Sequence, residues 1–337
     1  MTVGFLVLGA GFLLGAVEHG EVVFHPAPEE SSVPDLFRLK PEAFGFEIEP
    51  VLETPRYRVS RVRFPSPITT PAPENNVVPA EFFDPVGFPG RRPAVVVLHI
   101  LGSDFPLSRY VAARLADRGV AALFLKLPYY GERRPKGGPG PVPVRFLSAD
   151  IERTMTSMRQ GVCDVRRGLC WLASRNNVDR RRLGVTGISL GGIVASLAVA
   201  VDPAARDGVF LLAGGDLSRI LWGMPETRKF RQAWEASGKT INDLKRLTDP
   251  YDPLTYAGRL SGKRLLMIAG KVDEVIPRAS TLSLWNAAGK PEILWYDCGH
   301  YSAVGYLLPA IRTTVDFLGR GEHDLEGGEP AEKPLAP

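Results

Sequence analysis

Histidine is scarce in this chain of 337 residues, at five copies, and cysteine is scarcer, at three. An odd number of cysteines, with Cys163 and Cys170 on one predicted helix and Cys298 far away, excludes a disulfide framework, and no pair has the C-x-x-C spacing. With so few histidines a zinc site is not expected, and neither a metal nor a cofactor is implied. Charge of one sign is nowhere concentrated. Lys and Arg number 41 against 37 Asp and Glu, a net charge of +4, and the densest cluster, Arg180-Arg181-Arg182, reads as a solvated loop. Nucleic-acid binding is therefore not expected. A membrane-length apolar run is also missing. Val3 to Val17 suffices for a signal-peptide core but is short for a span, lacks a preceding Lys or Arg, and is followed by no A-x-A site. An export signal, a weak anchor and a packed segment all stay open, and with them a cytoplasmic or an exported location. Membrane association is expected only if this segment is an uncleaved anchor. No internal repeat is evident.

What the sequence does have is a hydrophobic fraction of 45% with 23% charged residues, ordinary for a globular protein with a sizeable core. Residues 1–56 read as an apolar segment and an irregular extension, with one short helix near Asp35 to Leu39. Tyr57 to Phe64 alternates with period two, the pattern of a half-buried antiparallel strand, and Asn76 to Phe83 reads as a second strand. Pro93-Ala-Val-Val-Val-Leu-His-Ile100 is a continuous run suited to a strand buried on both faces.

From there strands alternate with helices. The spacing predicts a helix over Leu107–Arg118, a strand over Val120–Leu127 and a long helix over Ala149–Ala173 whose Met155 and Met158 belong to a core-facing stripe. A strand ending at Thr186, a helix over Leu190–Val201 and a strand over Gly208–Ala213 follow. Residues 216–246 interrupt the alternation as a possible lid carrying Trp222, Met224, Phe230 and Trp234. It resumes with strands at Arg264–Ala269 and Glu292–Tyr296 and helices at Ser280–Ala288 and Ala303–Leu318. The polar tail, 319–337, is expected to be disordered. Together these elements predict an α/β fold: a doubly wound, mostly parallel sheet with antiparallel N-terminal strands and a helical insertion after the sixth strand. Functional groups of such sheets gather at the carboxyl ends of the strands.

One stretch at that edge carries chemistry. Val185-Thr-Gly-Ile-Ser-Leu-Gly-Gly192 contains Gly187, Ser189 and Gly191 in the G-x-S-x-G spacing of a nucleophile elbow, where a sharp strand-to-helix turn lifts a hydroxyl above the sheet. A serine nucleophile needs a base, and elimination finds one. His19 and His25 lie in the N-terminal extension, His323 lies in the tail, and His99 reads as a brace for the loop after its strand. His300, in Asp297-Cys-Gly-His-Tyr-Ser302, follows the last strand. The acid that orients it is expected to be Asp273, with Asp216 as competitor and Asp252 as a turn or capping residue. Glu274 is expected to point elsewhere.

Ser189, Asp273 and His300 stand in the chain order of the α/β-hydrolase superfamily, which the sequence resembles from about Tyr57 to Leu318. Within it the chain looks most like dienelactone-hydrolase-like and acetyl-xylan-esterase-like serine hydrolases. The resemblance implies an oxyanion hole made by the backbone N–H groups of Leu190 and Leu101, the latter in His99-Ile-Leu-Gly102, where Ile100 replaces the glycine of many relatives. Ile100, Tyr130 and Trp222 are candidates to line the substrate pocket. The implied activity is hydrolysis of a small-molecule carboxylic ester by a serine esterase. The alternatives are a peptidase, an acyltransferase or a non-catalytic binding protein on the same fold.

Overall fold

The computed structural model describes residues 16–24, 28–102, 105–136 and 146–320. Nearly all of the N-terminal apolar segment lies outside these, as do residues 137–145 and the tail from 321. No helix among the described residues is long and apolar enough to cross a membrane.

The described strands form one sheet: β1 (Glu18–Val23), β2 (Ala43–Glu53), β3 (Tyr57–Pro65), β4 (Val77–Pro85), β5 (Arg92–Leu98), β6 (Ala121–Leu125), β7 (Val178–Ile188), β8 (Ala205–Leu211), β9 (Arg264–Gly270) and β10 (Glu292–Tyr296). Their spatial order is β1-β2-β3-β4-β6-β5-β7-β8-β9-β10. Pairing is antiparallel from β1 to β4 and between β4 and β6, and parallel from β6 through β10. β5 shows what drives the sheet. Ala94, Val96 and Leu98 sit in the core on one face, while Val95 and Val97 sit in the core on the other. A strand covered on both faces must be apolar at nearly every position.

The helices are α1 (Pro106–Ala116), α2 (Ile151–Ala173), α3 (Leu190–Val201), α4 (Leu217–Gly223), α5 (Arg228–Ala236), α6 (Ile241–Thr248), α7 (Pro253–Tyr256), α8 (Arg278–Ala287) and α9 (Leu307–Gly319). α1 and α9 pack on one face, and α2, α3 and α8 on the other. α3 is apolar all round because every one of its residues is buried. α2 begins at Asp150, whose carboxylate accepts from the backbone N–H groups of Glu152 (3.0 Å) and Arg153 (3.2 Å). The interrupting segment builds α4, α5 and α6, with α4 packed on α6 and α6 reaching α2.

The N-terminal region departs from expectation. Instead of irregular structure it adds β1 and β2 to the antiparallel edge, with a 3-10 turn at Pro28–Ser32, and Asp35 to Phe37 form a turn rather than a helix. Three arginines of α2 hold it down. Arg159 donates to the Leu36 carbonyl (2.8 Å), and Arg167 pairs with Glu42 and donates to the Pro65 carbonyl (2.9 Å). Arg166 is buried between Glu30 (2.6 Å) and Asp202 (2.9 Å) and also donates to the Phe37 carbonyl (2.6 Å). A charge taken out of water this far is tolerable only when fully paired.

Replacing Arg166 by methionine leaves Glu30 and Asp202 buried without the guanidinium they share. The variant is expected to lose about 3–5 kcal/mol of unfolding free energy, read from the shift in its urea midpoint.

Candidate active site

β7 ends at Ile188 and α3 begins at Leu190, so Ser189 alone makes the junction. Its backbone sits at φ 55°, ψ −117°, a conformation that costs a non-glycine residue on the order of 1–3 kcal/mol. Close packing enforces it. A Cβ on Gly191 would lie 2.7 Å from the His99 carbonyl oxygen, and one on Gly187 would lie 2.4 Å from the Gly191 carbonyl. Both glycines of the motif are thus demanded by backbone contact. The Ser189 N–H donates to the Leu211 carbonyl (2.9 Å), tying the junction to β8.

The Ser189 hydroxyl lies 2.8 Å from His300 Nε2. On the other side of the ring, Nδ1 lies 2.9 and 3.1 Å from the two Asp273 carboxylate oxygens. That carboxylate requires the proton on Nδ1 and leaves Nε2 as the acceptor for the serine proton. Asp273 is itself fixed by the turn after β9, accepting from the N–H groups of Val275 (2.9 Å) and Ile276 (2.7 Å) through Oδ1. The three expected residues are therefore brought together in one chain of hydrogen bonds. Asp216 is not part of it. It caps α4 and pairs with Arg219 (2.9 Å) and Ser218 (2.7 Å). Asp252 caps α7 by accepting from the Leu254 N–H (2.8 Å) and also accepts from the N–H groups of Asp216 and Leu217.

Glu274, expected to point elsewhere, instead meets the backbone of the histidine loop. Its carboxylate accepts from the backbone N–H groups of His300 (2.8 Å) and Tyr301 (3.4 Å). Gly299 makes room for it, since a Cβ there would come within 2.2 Å of Glu274 Oε2. Neighbouring carboxylates thus divide the loop, Asp273 taking its ring and Glu274 its backbone. Tyr301 in turn donates its hydroxyl to Glu226, just beyond α4, and this bond pushes the phenol up to about 12.

Leu190 is the first residue of α3, so its N–H has no intrahelical acceptor. Leu101 borders the same cavity, as does Ile100. The loop carrying them is braced by His99, whose Nδ1 lies 2.7 Å from the Ile100 carbonyl and whose Nε2 accepts from the Leu127 N–H (3.0 Å). Burial drives the His99 imidazole down to about 4, so it stays neutral and keeps both bonds at ordinary pH.

Two lining candidates are corrected. Tyr130 lies behind the loop rather than in the cavity wall, with its ring 4.5 Å from that of His99 and its hydroxyl accepting from the Gly102 N–H (3.3 Å). It braces the backbone that it was expected to stand beside. Trp222 packs against the core without reaching the cavity, and α4 presents Leu217, Ile220 and Leu221 there instead, followed by Met224. The segment that carries Tyr130 is itself anchored from within. Arg133 is wholly buried, pairs with Asp164 (2.8 Å) and donates to the carbonyls of Lys126 (3.0 Å) and Asn75 (2.7 Å).

The cavity above Ser189 and His300 has a volume of about 420 Å³. Apart from those two, its described polar side chains are Thr154, Glu226 and Tyr301, and the rest of its wall is apolar. A strained hydroxyl beside a carboxylate-held imidazole in an apolar cleft can act as a nucleophile with its base at hand.

Comparison with known proteins adds to this geometry. The model of the family described as alpha/beta hydrolase domain containing 18 matches residues 36–215, more than half of the chain, and that of the prolyl oligopeptidase family matches residues 157–298. An uncharacterized protein of Mycobacterium tuberculosis is 28% identical over 217 residues, which cover 63% of this chain and 50% of the relative. The chain thus spans about half the length of that curated relative. A Salmonella typhi protein named provisionally as a carboxymethylenebutenolidase is 27% identical over 238 residues, covering 69% of this chain and 76% of its own. Among solved structures, an acetyl xylan esterase from Paenibacillus sp. R4 superimposes with a TM-score of 0.66 at 20% identity, over 80% of this chain and 88% of that one. At that identity the likeness is one of fold.

Removing the Glu274 carboxylate should loosen the histidine loop without touching the imidazole. Glu274→Ala is expected to slow labelling of Ser189 by a fluorophosphonate about 10- to 100-fold. Glu274→Gln, which still offers a carbonyl acceptor, should recover part of that rate.

Proposed function

We propose a serine hydrolase of carboxylic esters, starting from the premise that this chain belongs to the alpha/beta hydrolase domain containing 18 family, within the α/β-hydrolase superfamily. The observation that carries the proposal is the hydrogen-bonded series Ser189–His300–Asp273 at the floor of an apolar cavity. In the proposed reaction the Ser189 hydroxyl attacks the ester carbonyl carbon while His300 Nε2 takes its proton. The carbonyl π bond opens, and the oxyanion is received by the N–H groups of Leu190 and Leu101. Asp273 keeps the imidazolium oriented and stabilised, without itself taking the proton. Collapse of the tetrahedral intermediate breaks the bond to the alcohol, which leaves with the proton from His300. Water then repeats the sequence on the acyl-enzyme, releasing the acid and restoring the serine.

The esterase name of the structural neighbour and the carboxymethylenebutenolidase name of the relative support this reading, as does the cavity, whose apolar wall suits an ester better than a charged peptide. A peptidase is the second reading, favoured by the match of residues 157–298 to the prolyl oligopeptidase family. Parallel assays with p-nitrophenyl esters and peptidyl p-nitroanilides separate the two.

A fluorophosphonate probe is expected to label wild-type protein and to leave Ser189→Ala unlabelled. Labelling that survives in Ser189→Ala overturns the nucleophile. Asp273→Asn should keep the fold but lower kcat for esters on the order of 10³- to 10⁴-fold, because the amide no longer holds the right tautomer.

A further inference from the structure

The cavity has two unlike walls, and the difference sorts the two halves of an ester. One wall belongs to the side of the sheet that carries α1 and α9, and includes the histidine loop with Tyr301, Ala303, Val304 and Leu307. It is open to solvent, since Val304 is 70% exposed and Tyr301 58%. The other wall belongs to the α2–α3 side, where Met155, Met158, Ile193, Ile220 and Leu221 are all buried. The leaving alcohol takes its proton from His300 and must therefore lie on the open side. The closed end is left for the acyl group.

Among the described residues, that closed end offers an acyl chain no free polar side chain to hold. Its one described polar side chain is Thr154, whose hydroxyl is already committed. It accepts from the Ser148 N–H (2.9 Å) and lies 3.3 Å from the carbonyls of Ser148 and Asp150. A hydroxyl or carboxylate carried on the acyl chain would give up its water without a replacement partner, a loss of several-fold or more in binding. An unsubstituted chain gains on every methylene it buries, up to about fourfold each. At about 30 Å³ for each water-sized group, the cavity of about 420 Å³ holds roughly a dozen non-hydrogen atoms, some of them from the ester and its alcohol.

Resting on the reading of Ser189 as nucleophile, we propose that this site takes esters of unsubstituted aliphatic acids of about six to ten carbons, with Met158 and Leu221 setting the depth. Acetyl esters leave the closed end unfilled and are poor substrates.

The test is kcat/KM for p-nitrophenyl esters from acetate to palmitate, together with the mono-ester of adipic acid, on protein whose Ser189 labelling is measured in parallel. Expected is a rise of about two- to fourfold per methylene to an optimum between hexanoate and decanoate. Hexanoate should exceed both acetate and the adipate mono-ester at least tenfold. A flat profile, an optimum at acetate, or adipate equal to hexanoate, each with Ser189 labelled, overturns the acyl assignment and leaves the hydrolase reading standing. Absence of both labelling and turnover overturns the two together. Met158→Trp should lower the octanoate-to-acetate ratio at least tenfold, and Met158→Ala should move the optimum to longer chains. Unchanged ratios in both variants, with normal Ser189 labelling, also overturn it.

Discussion

Gly191 lies so close to the end of β5 that a side chain there would come within 2.7–2.8 Å of the carbonyl oxygens of Leu98 and His99, and the site is built outward from that approach. It brings the first turn of α3 against the loop that follows β5, so Leu190 and Leu101 border one cavity. The same approach forces the turn through a single residue and holds Ser189 at a positive φ. Strain of this kind persists only where the surroundings over-determine it. Here the surroundings are β5, β7 and β8, all buried parallel strands, so the serine inherits the rigidity of the core.

The rest of the site is held by partners chosen for one task each. His99 is desolvated and neutral, which suits a brace between the two loops after β5 and β6, whereas His300 faces a carboxylate and a hydroxyl. Two successive acids after β9 separate the orientation of an imidazole from the positioning of its backbone. Tyr301 extends the histidine loop to Glu226, so the loop and the segment after α4 share a contact at the mouth of the cavity.

Much of this was legible in the sequence. Glu292–Tyr296 and Leu190–Val201 have the bounds that their periodicity predicts, and the order of Ser189, Asp273 and His300 at the ends of β7, β9 and β10 brings together residues up to 111 positions apart. The misses have physical causes. Phe44, Phe46 and Ile48 alternate as a strand should, but Gly45 and Pro50 break the window in which the alternation of β2 could be counted. The burial of Arg133 and Arg166 carries no local signal, because it depends on acids supplied from distant segments, Asp164, Glu30 and Asp202. Tyr130 and Trp222 sit near the site in the chain, yet which way a loop side chain turns follows from packing that no local pattern encodes.

The ties between the N-terminal region and α2 also set an order of events on the ribosome. Glu30 is made 136 residues before Arg166 and 172 before Asp202, yet the three share one buried cluster. At roughly 5–20 residues per second, a nascent chain holds Glu30 and the strands beside it without their partners for about ten to thirty seconds. The antiparallel edge is thus synthesised well before α2 and the Asp202 segment that hold it, a long-range closure that slows folding. During that interval the unpaired backbone of β1 and β2 is open to pairing with another chain.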